Sequence, residues 1–211
     1  MLVSEQINQI RKLLERIDSG TNVDAGNFYE NPTNNYISKE LANREWETFF
    51  CDTPQLVGLS GDLPEKYSFL TMKELGRPIL AVRDGDGEFH AYVNSCRHRG
   101  VIVEEDERGT SRRFTCRFHR WTYDVNGSLV GLPKSDHFGQ PETESLGLVE
   151  LPSEERHGLL WVHPNPNGVI DLQELLTEEL LVELETWNLD KLDYLGNDAY
   201  DVACNWKLAM D

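Results

Sequence analysis

Cys96-Arg97-His98 and, seventeen residues further on, Cys116-Arg117-Phe118-His119 decide the reading of this chain. Each stretch holds a thiol and an imidazole within one short loop. Strand signals surround them. Pro78–Arg83 and Glu88–Val93 flank Asp84-Gly85-Asp86-Gly87, and Thr122–Val125 and Ser128–Val130 flank Asn126-Gly127. Both are hairpin patterns, in which turn residues separate runs rich in β-formers. Leu159–Val162 reads as a buried strand. An antiparallel β domain over residues 51–165 is therefore expected, with the two loops at the tips of adjacent hairpins.

Helical patterns lie on either side, so the expected class is α+β. In residues 1–50 an amphipathic helix is predicted over 4–18. Ser4 is its cap, Ile7, Ile10, Leu14 and Ile17 form its apolar stripe, and Gly20 ends it. A second helix is predicted over Ser38–Phe50, after an irregular Asn-, Gly- and Pro-rich connection. Residues 166–211 turn helical again. Asp171 and Glu174 resemble a capping box, with Leu175, Leu176, Leu180 and Leu184 at helical spacing. Tyr200–Cys204 suggests a strand, and Asn205–Asp211 the first turns of another helix.

Composition narrows the function classes. With 39% hydrophobic and 27% charged residues, the 211-residue chain has a globular composition and no apolar run long enough to span a bilayer. The polar start, Met1 to Asp18, does not read as a secretory signal, and a cytoplasmic location is expected. A net charge of −17 argues against nucleic-acid binding and favours basic protein partners. Four cysteines do not make a disulfide framework; outside the two loops, Cys51 and Cys204 are expected to be small buried apolar groups.

Two thiolates and two imidazoles are the ligand set of a [2Fe–2S] cluster in which two His replace two Cys on one iron. Cys96 and Cys116 would then hold one iron, and His98 and His119 the other. Imidazole ligation raises the potential to roughly −150 to +300 mV, against about −400 mV for an all-Cys cluster. The His side should face solvent. A tetrahedral structural zinc site is the rival, since it also takes two Cys and two His. The one-residue gap between Cys96 and His98 is unusual for a zinc finger, and no finger helix carries a second His pair.

In combination these motifs resemble the Rieske non-haem iron oxygenases, the large (alpha) subunits of ring-hydroxylating dioxygenases and related monooxygenases. The resemblance rests on Cys96-Arg-His-Arg-Gly100 and Cys116-Arg-Phe-His-Arg-Trp-Thr-Tyr123. It extends to the Tyr36–Phe50 segment, the run from Asn94 to Gly100, the hairpin at Asp124–Gly127, and Asn205-Trp-Lys207. Two positions depart from the family pattern: Arg117 stands where Pro is usual, and Arg120 where Gly is usual. Respiratory bc-type Rieske proteins carry an extra Cys pair that staples their loops; the corresponding residues here are Val101 and Phe118.

The resemblance implies electrons from NAD(P)H, relayed by a reductase or ferredoxin, and O2-dependent hydroxylation of an organic substrate. It implies a mononuclear non-haem Fe(II) in a C-terminal catalytic domain, and a homotrimer or other homo-oligomer. The family's ligands to that iron would lie beyond Asp211, so a truncated chain or fragment, inactive alone, is expected, with residues 166–211 as the start of the catalytic domain. The alternatives are a stand-alone electron carrier or redox sensor, and a zinc-stabilised interaction module. His90, His137, His157 and His163 lack the spacing of iron ligands; Glu155, His157 and His163 do not read as a triad, and structural roles are expected. Trp121 and Trp161 read as core or cluster cover. Arg97, Arg99, Arg112, Arg113, Arg117 and Arg120 make a local basic patch. Two readings of it stay open: a docking surface for an acidic partner, or ion pairing with Glu104, Glu105, Asp106 and Glu107.

Overall fold

Two aspartates turn the chain. In the computed structural model, which describes residues 3–24, 26–73, 75–139 and 142–210, Asp84 Oδ1 accepts the backbone N–H groups of Asp86, Gly87 and Glu88, each at 2.8 Å. Asp124 Oδ1 accepts those of Asn126 and Ser128 at 3.0 and 2.9 Å. Both are turns held by an Asp side chain. They create the predicted hairpins, β3 (Ile79–Arg83) with β4 (Phe89–Val93) and β7 (Thr122–Asp124) with β8 (Leu129–Gly131). Met1 and Asp211 lie outside the described residues.

The remaining strands are β1 (Gln55–Leu59), β2 (Ser68–Met72), β5 (Arg108–Thr110), β6 (Arg113–Thr115), β9 (Glu150–Leu151), β10 (Ser153–Arg156) and β11 (Leu159–Val162). They form three sheets, ordered β1-β11-β10, β5-β2-β3-β4-β9 and β6-β7-β8, with antiparallel pairing throughout the described residues. Side chains alternate across the five-stranded sheet. Phe69, Leu80, Val82 and Tyr92 face a core shared with Cys96, Phe114, Cys116, Trp121 and Tyr123. Leu70, Ile79, Ala81 and Ala91 face a second core with Val57, Leu160 and Val162. The two cysteines thus sit in the apolar layer between the five-stranded sheet and the β6-β7-β8 sheet.

The helices depart from expectation in detail. The first, α1 (Val3–Ser19), contains Ser4 rather than being capped by it; Gly20, at φ +63, ends it as predicted. Its stripe is exposed. The second predicted helix is split: α2 (Asn34–Ile37) precedes it, Ser38 caps α3 (Lys39–Glu45) by accepting from Leu41 N–H, and Trp46–Cys51 continue as a π-helix. There Trp46 packs tilted on Phe50, and Phe50 meets Trp206 edge-on. Asp171 caps α4 (Leu172–Leu175) as predicted. Leu176 is extended, however, and Thr177 starts a separate α5 (Glu178–Thr186). The break changes the phase, so Leu172, Leu181 and Leu184 are buried while Leu175 and Leu180 are exposed.

Tyr200–Cys204 forms no strand; Tyr200 and Val202 are exposed, and the segment pairs with none of the three sheets among the described residues. Cys204 is exposed and Cys51 half-buried, so neither is the fully buried apolar group expected. The last helix, α6 (Lys207–Met210), is tied back to the N-terminal segment. Glu45 pairs with Lys207 at 2.6 Å and accepts from Trp206 Nε1 at 3.1 Å, and Asn205 Nδ2 donates to the Tyr36 carbonyl at 3.0 Å. No helix among the described residues is long and apolar enough to cross a membrane.

Candidate metal centre

Residues 96–101 and 116–121 are two six-residue loops closed in the same way. Cys96 N–H donates to Val101 O at 2.8 Å, and Cys116 N–H to Trp121 O at 2.8 Å. Gly100 N–H returns to Cys96 O at 2.8 Å, and Arg120 N–H to Cys116 O at 3.0 Å. The fifth residue of each loop is left-handed, Gly100 at φ +71 and Arg120 at φ +62. Glycine adopts that conformation freely; for arginine it costs on the order of 1 kcal/mol or more.

Only the second loop is the tip of a hairpin, between β6 and β7. The first lies between β4 and β5, at opposite parts of the five-stranded sheet. A side chain takes the place of a partner strand. Asn94 is fully buried, accepts from Val103 and Glu104 N–H at 3.1 and 3.0 Å, and donates to Glu104 O at 2.7 Å. A buried amide with its hydrogen bonds satisfied fixes the backbone on both sides of the loop.

The four predicted residues come together. Cys96 and Cys116 are buried; His98 and His119 are half-buried at the outer edge, as expected. The imidazole centroids are 4.6 Å apart with planes at 70°. His98 Nδ1 and His119 Nδ1 are both buried and neither has a hydrogen-bond partner. Trp121 stacks on His98 at 5.1 Å and 9°, and Phe138 stands edge-on to both rings at 5.5 Å.

Tyr123 lies beneath the first loop. Its hydroxyl accepts from Arg97 N–H at 3.0 Å and lies 3.3 Å from Cys96 Sγ, within reach to donate to a thiolate there. Burial, and after it the hydrogen bond to Cys96, pushes the phenol well up, so it stays a donor. Burial pushes the Cys96 thiol up; hydrogen bonds from Tyr123 and the His98 backbone act in the other direction, and the Cys116 thiol adds to the rise. Burial, then His119 and Arg99, hold the His98 imidazole below its ordinary range, in the neutral form that ligates metals.

Two buried thiols, that of Cys96 resisting ionisation, and two buried, partnerless imidazole nitrogens form a donor set that cations complete. Among the described residues no three His, Cys, Asp or Glu side chains are grouped as ligands of a single ion. A pair of bridged irons asks for only two protein ligands each. The donor set therefore fits a two-iron cluster.

The other titratable groups are used elsewhere. His163 is buried and its Nδ1 accepts from Asn165 N–H at 3.1 Å; His157 is a left-handed turn residue; His90 lies 3.2 Å from Asp84. Arg83 holds Glu155 through two hydrogen bonds. Trp121 covers the candidate centre, whereas Trp161 belongs to a separate cluster with Leu172 and Leu184. Sequence reasoning assigned no role at the centre to Tyr123, Asn94 or Phe138. The first two lie within the quoted motifs, but nothing in a linear pattern says which neighbour points at the sulfur.

Residues 53–150 match the Rieske [2Fe-2S] domain. Over 189 residues the chain is 27% identical to the 2-aminobenzenesulfonate 2,3-dioxygenase subunit alpha of Alcaligenes sp, covering 88% of this chain and 47% of that protein. Over 180 residues it is 29% identical to the anthranilate 1,2-dioxygenase large subunit of Acinetobacter baylyi, covering 82% and 38%. Among solved structures it is similar to a quaternary ammonium Rieske monooxygenase described for carnitine oxidation and inter-subunit electron transfer, at TM-score 0.66 and 26% identity over 74% of this chain and 42% of that one. The chain thus spans less than half the length of these relatives.

Proposed function

We propose that this chain, whose residues 53–150 match the Rieske [2Fe-2S] domain and which is similar to oxygenase alpha subunits, is the electron-relaying N-terminal part of an oxygenase large subunit. Cys96 and Cys116 are the sulfur ligands. His98 and His119 are the imidazole ligands, through Nδ1. A bound cluster supplies one-electron storage, at a potential raised by its imidazoles. The buried thiolates anchor the inner side, and the half-buried imidazoles form the edge nearest solvent. Trp121 and Phe138 exclude water from His98, and Tyr123 donates a hydrogen bond to the Cys96 sulfur.

The observation that carries this reading is the pair of matched loops, with two buried sulfurs inside and two partnerless Nδ1 atoms at the rim. In the parent protein the electrons would come from NAD(P)H through a reductase or ferredoxin. They would serve a mononuclear iron in a region outside this sequence, for O2-dependent hydroxylation of an organic substrate. Residues 1–50 are then a helical segment, 51–165 the cluster domain and 166–211 the start of the catalytic domain. A homotrimer in the cytoplasm suits the same reading, the four thiols being free.

Anaerobic reconstitution with iron and sulfide tests it. A coloured protein with a rhombic EPR signal on reduction is expected, lost in Cys96→Ser and Cys116→Ser. A colourless, EPR-silent product, or zinc retained in stoichiometric amount, would sink the reading.

A further inference from the structure

We infer that the groove beside Tyr92 is a receptor site for the guanidinium group of an arginine side chain on a partner protein. It is separate from the two metal loops and does not depend on what they bind.

The groove lies where the β7–β8 turn meets β4 and β9, at the end of β7 away from the second loop. Gly127 and Gly147 lie at its floor, and Leu148 N–H donates to Gly127 O at 2.7 Å to join the two chain segments. The cavity measures about 290 Å³. Its lining includes Tyr92, Asn126, Thr143, Glu144 and Glu150, and no lysine or arginine. Tyr92 and Glu150 are register partners across β4 and β9, so their side chains leave the same face of the sheet.

Acidic side chains alone are ordinary on a chain of net charge −17. Tyr92 marks this place out. The residue is only 3% exposed, yet its hydroxyl bonds to no described residue and opens onto the cavity. A buried polar side chain left in that state points to a partner from outside. Burial, then the charges of Glu150, Asp124 and Asp84, push its pKa up, so it stays a neutral hydroxyl facing carboxylate charge. The side chains of Asn126, Thr143, Glu144 and Glu150 likewise form no hydrogen bond or ion pair with any described residue.

These groups offer acceptors: two carboxylates, an amide oxygen and two hydroxyl oxygens. A metal ion needs ligands converging on one point, and no three His, Cys, Asp or Glu side chains among the described residues do so. A guanidinium spreads five N–H donors over a planar fork and suits acceptors that stand apart. Paired hydrogen bonds to carboxylates are its strongest contacts. The volume lies at the low end of small-molecule pockets, roughly 300–1,000 Å³, which fits one inserted side chain better than a whole ligand. The acidity of the chain would draw a basic surface toward it.

Saturation-transfer NMR titrations of the full chain test the inference, with N-acetyl-arginine amide as probe. A Kd on the order of 1 mM is expected, the strength of a few exposed charge-assisted hydrogen bonds. The neutral isostere N-acetyl-citrulline amide should bind about tenfold more weakly. Glu144→Gln with Glu150→Gln should weaken the arginine probe about tenfold, and Tyr92→Phe several-fold. Glu178→Gln with Glu179→Gln on α5 makes the same change in net charge outside the cavity and should leave binding unchanged. Thermal melts verify that each variant is folded. No binding of the arginine probe, equal binding of the citrulline isostere, equal weakening by both glutamate pairs, or no effect of Tyr92→Phe overturns the inference. So does displacement of the probe by submillimolar calcium, which would assign the groove to a metal ion. Agmatine binding far more tightly than the blocked arginine would assign it to a free small cation and overturn the protein partner.

Discussion

Trp121 lies parallel to the His98 imidazole, with centroids 5.1 Å apart and planes 9° apart, although the two residues belong to different loops. The stack couples the loops directly. It orients an imidazole whose inner nitrogen has no other partner.

Trp121→Ala should cost about 3–5 kcal/mol through loss of a buried aromatic. Cluster absorbance should then bleach rapidly in air. Trp121→Phe keeps a ring on His98 while losing an indole N–H that bonds to nothing and part of the buried ring volume, so it should cost clearly less than the alanine variant, on the order of 1–3 kcal/mol. Thermal melts together with visible absorbance check both. Equal damage from the two substitutions would show that a six-membered ring stacked on His98 is not what holds the site.

Tyr123→Phe removes the hydroxyl that faces the Cys96 sulfur and accepts the Arg97 N–H, while keeping the buried ring. Less positive charge then faces the sulfur, and adding an electron becomes harder. The reduction potential should fall on the order of 50 mV, the one-electron equivalent of roughly 1 kcal/mol. An EPR-monitored redox titration measures it. An unchanged or raised potential would show that the phenol does not tune the centre.

Gly127 and Gly100 separate strain from collision. Both are left-handed. A Cβ on Gly127 would lie 2.5 Å from Cε1 of the buried Tyr92, whereas one on Gly100 meets nothing nearer than Ser95 Oγ at 3.7 Å. Gly127→Ala should therefore cost roughly 3 kcal/mol and Gly100→Ala about 1 kcal/mol. Urea unfolding of the two variants should rank them in that order; the reverse ranking contradicts the packing described here.

Glu155 gives the fold a pH dependence. Burial alone would raise its pKa, but hydrogen bonds from Arg83 and Ser60 outweigh that and hold the carboxyl below its ordinary 4.5. A depressed folded pKa means stabilisation that is complete well above 4.5 and is lost as pH falls through the lower folded value. Glu155→Gln should be less stable than wild type near neutrality, and the gap should close progressively below about pH 4.5. A constant difference in unfolding midpoint from neutral to acid would show that the Arg83 pair carries none of it.

Much of the fold was legible because its signals are local. Asp84 and Asp124 with their glycines specify turns over four or five residues, and both hairpins form as read. Gly20 ends its helix and Asp171 caps another for the same reason. Misreadings arose where a distant contact overrides local preference. Rings of Trp46, Phe50 and Trp206 meet across some 160 residues, and the predicted second helix widens there. Tyr200–Cys204 has β-forming residues but pairs with no strand among the described residues.

By itself the sequence determined which donors the candidate centre offers, because residue type and loop spacing place two sulfurs and two imidazole nitrogens in loops too short to scatter them. Tertiary structure alone decided how those donors are held. The stack of Trp121 on His98, the contact of the Tyr123 hydroxyl with the Cys96 sulfur and the Asn94 clamp in place of a hairpin each join residues from separate strands or loops. Such relations depend on how sheets pack against one another, and packing is a property of the folded whole that no single stretch of chain encodes.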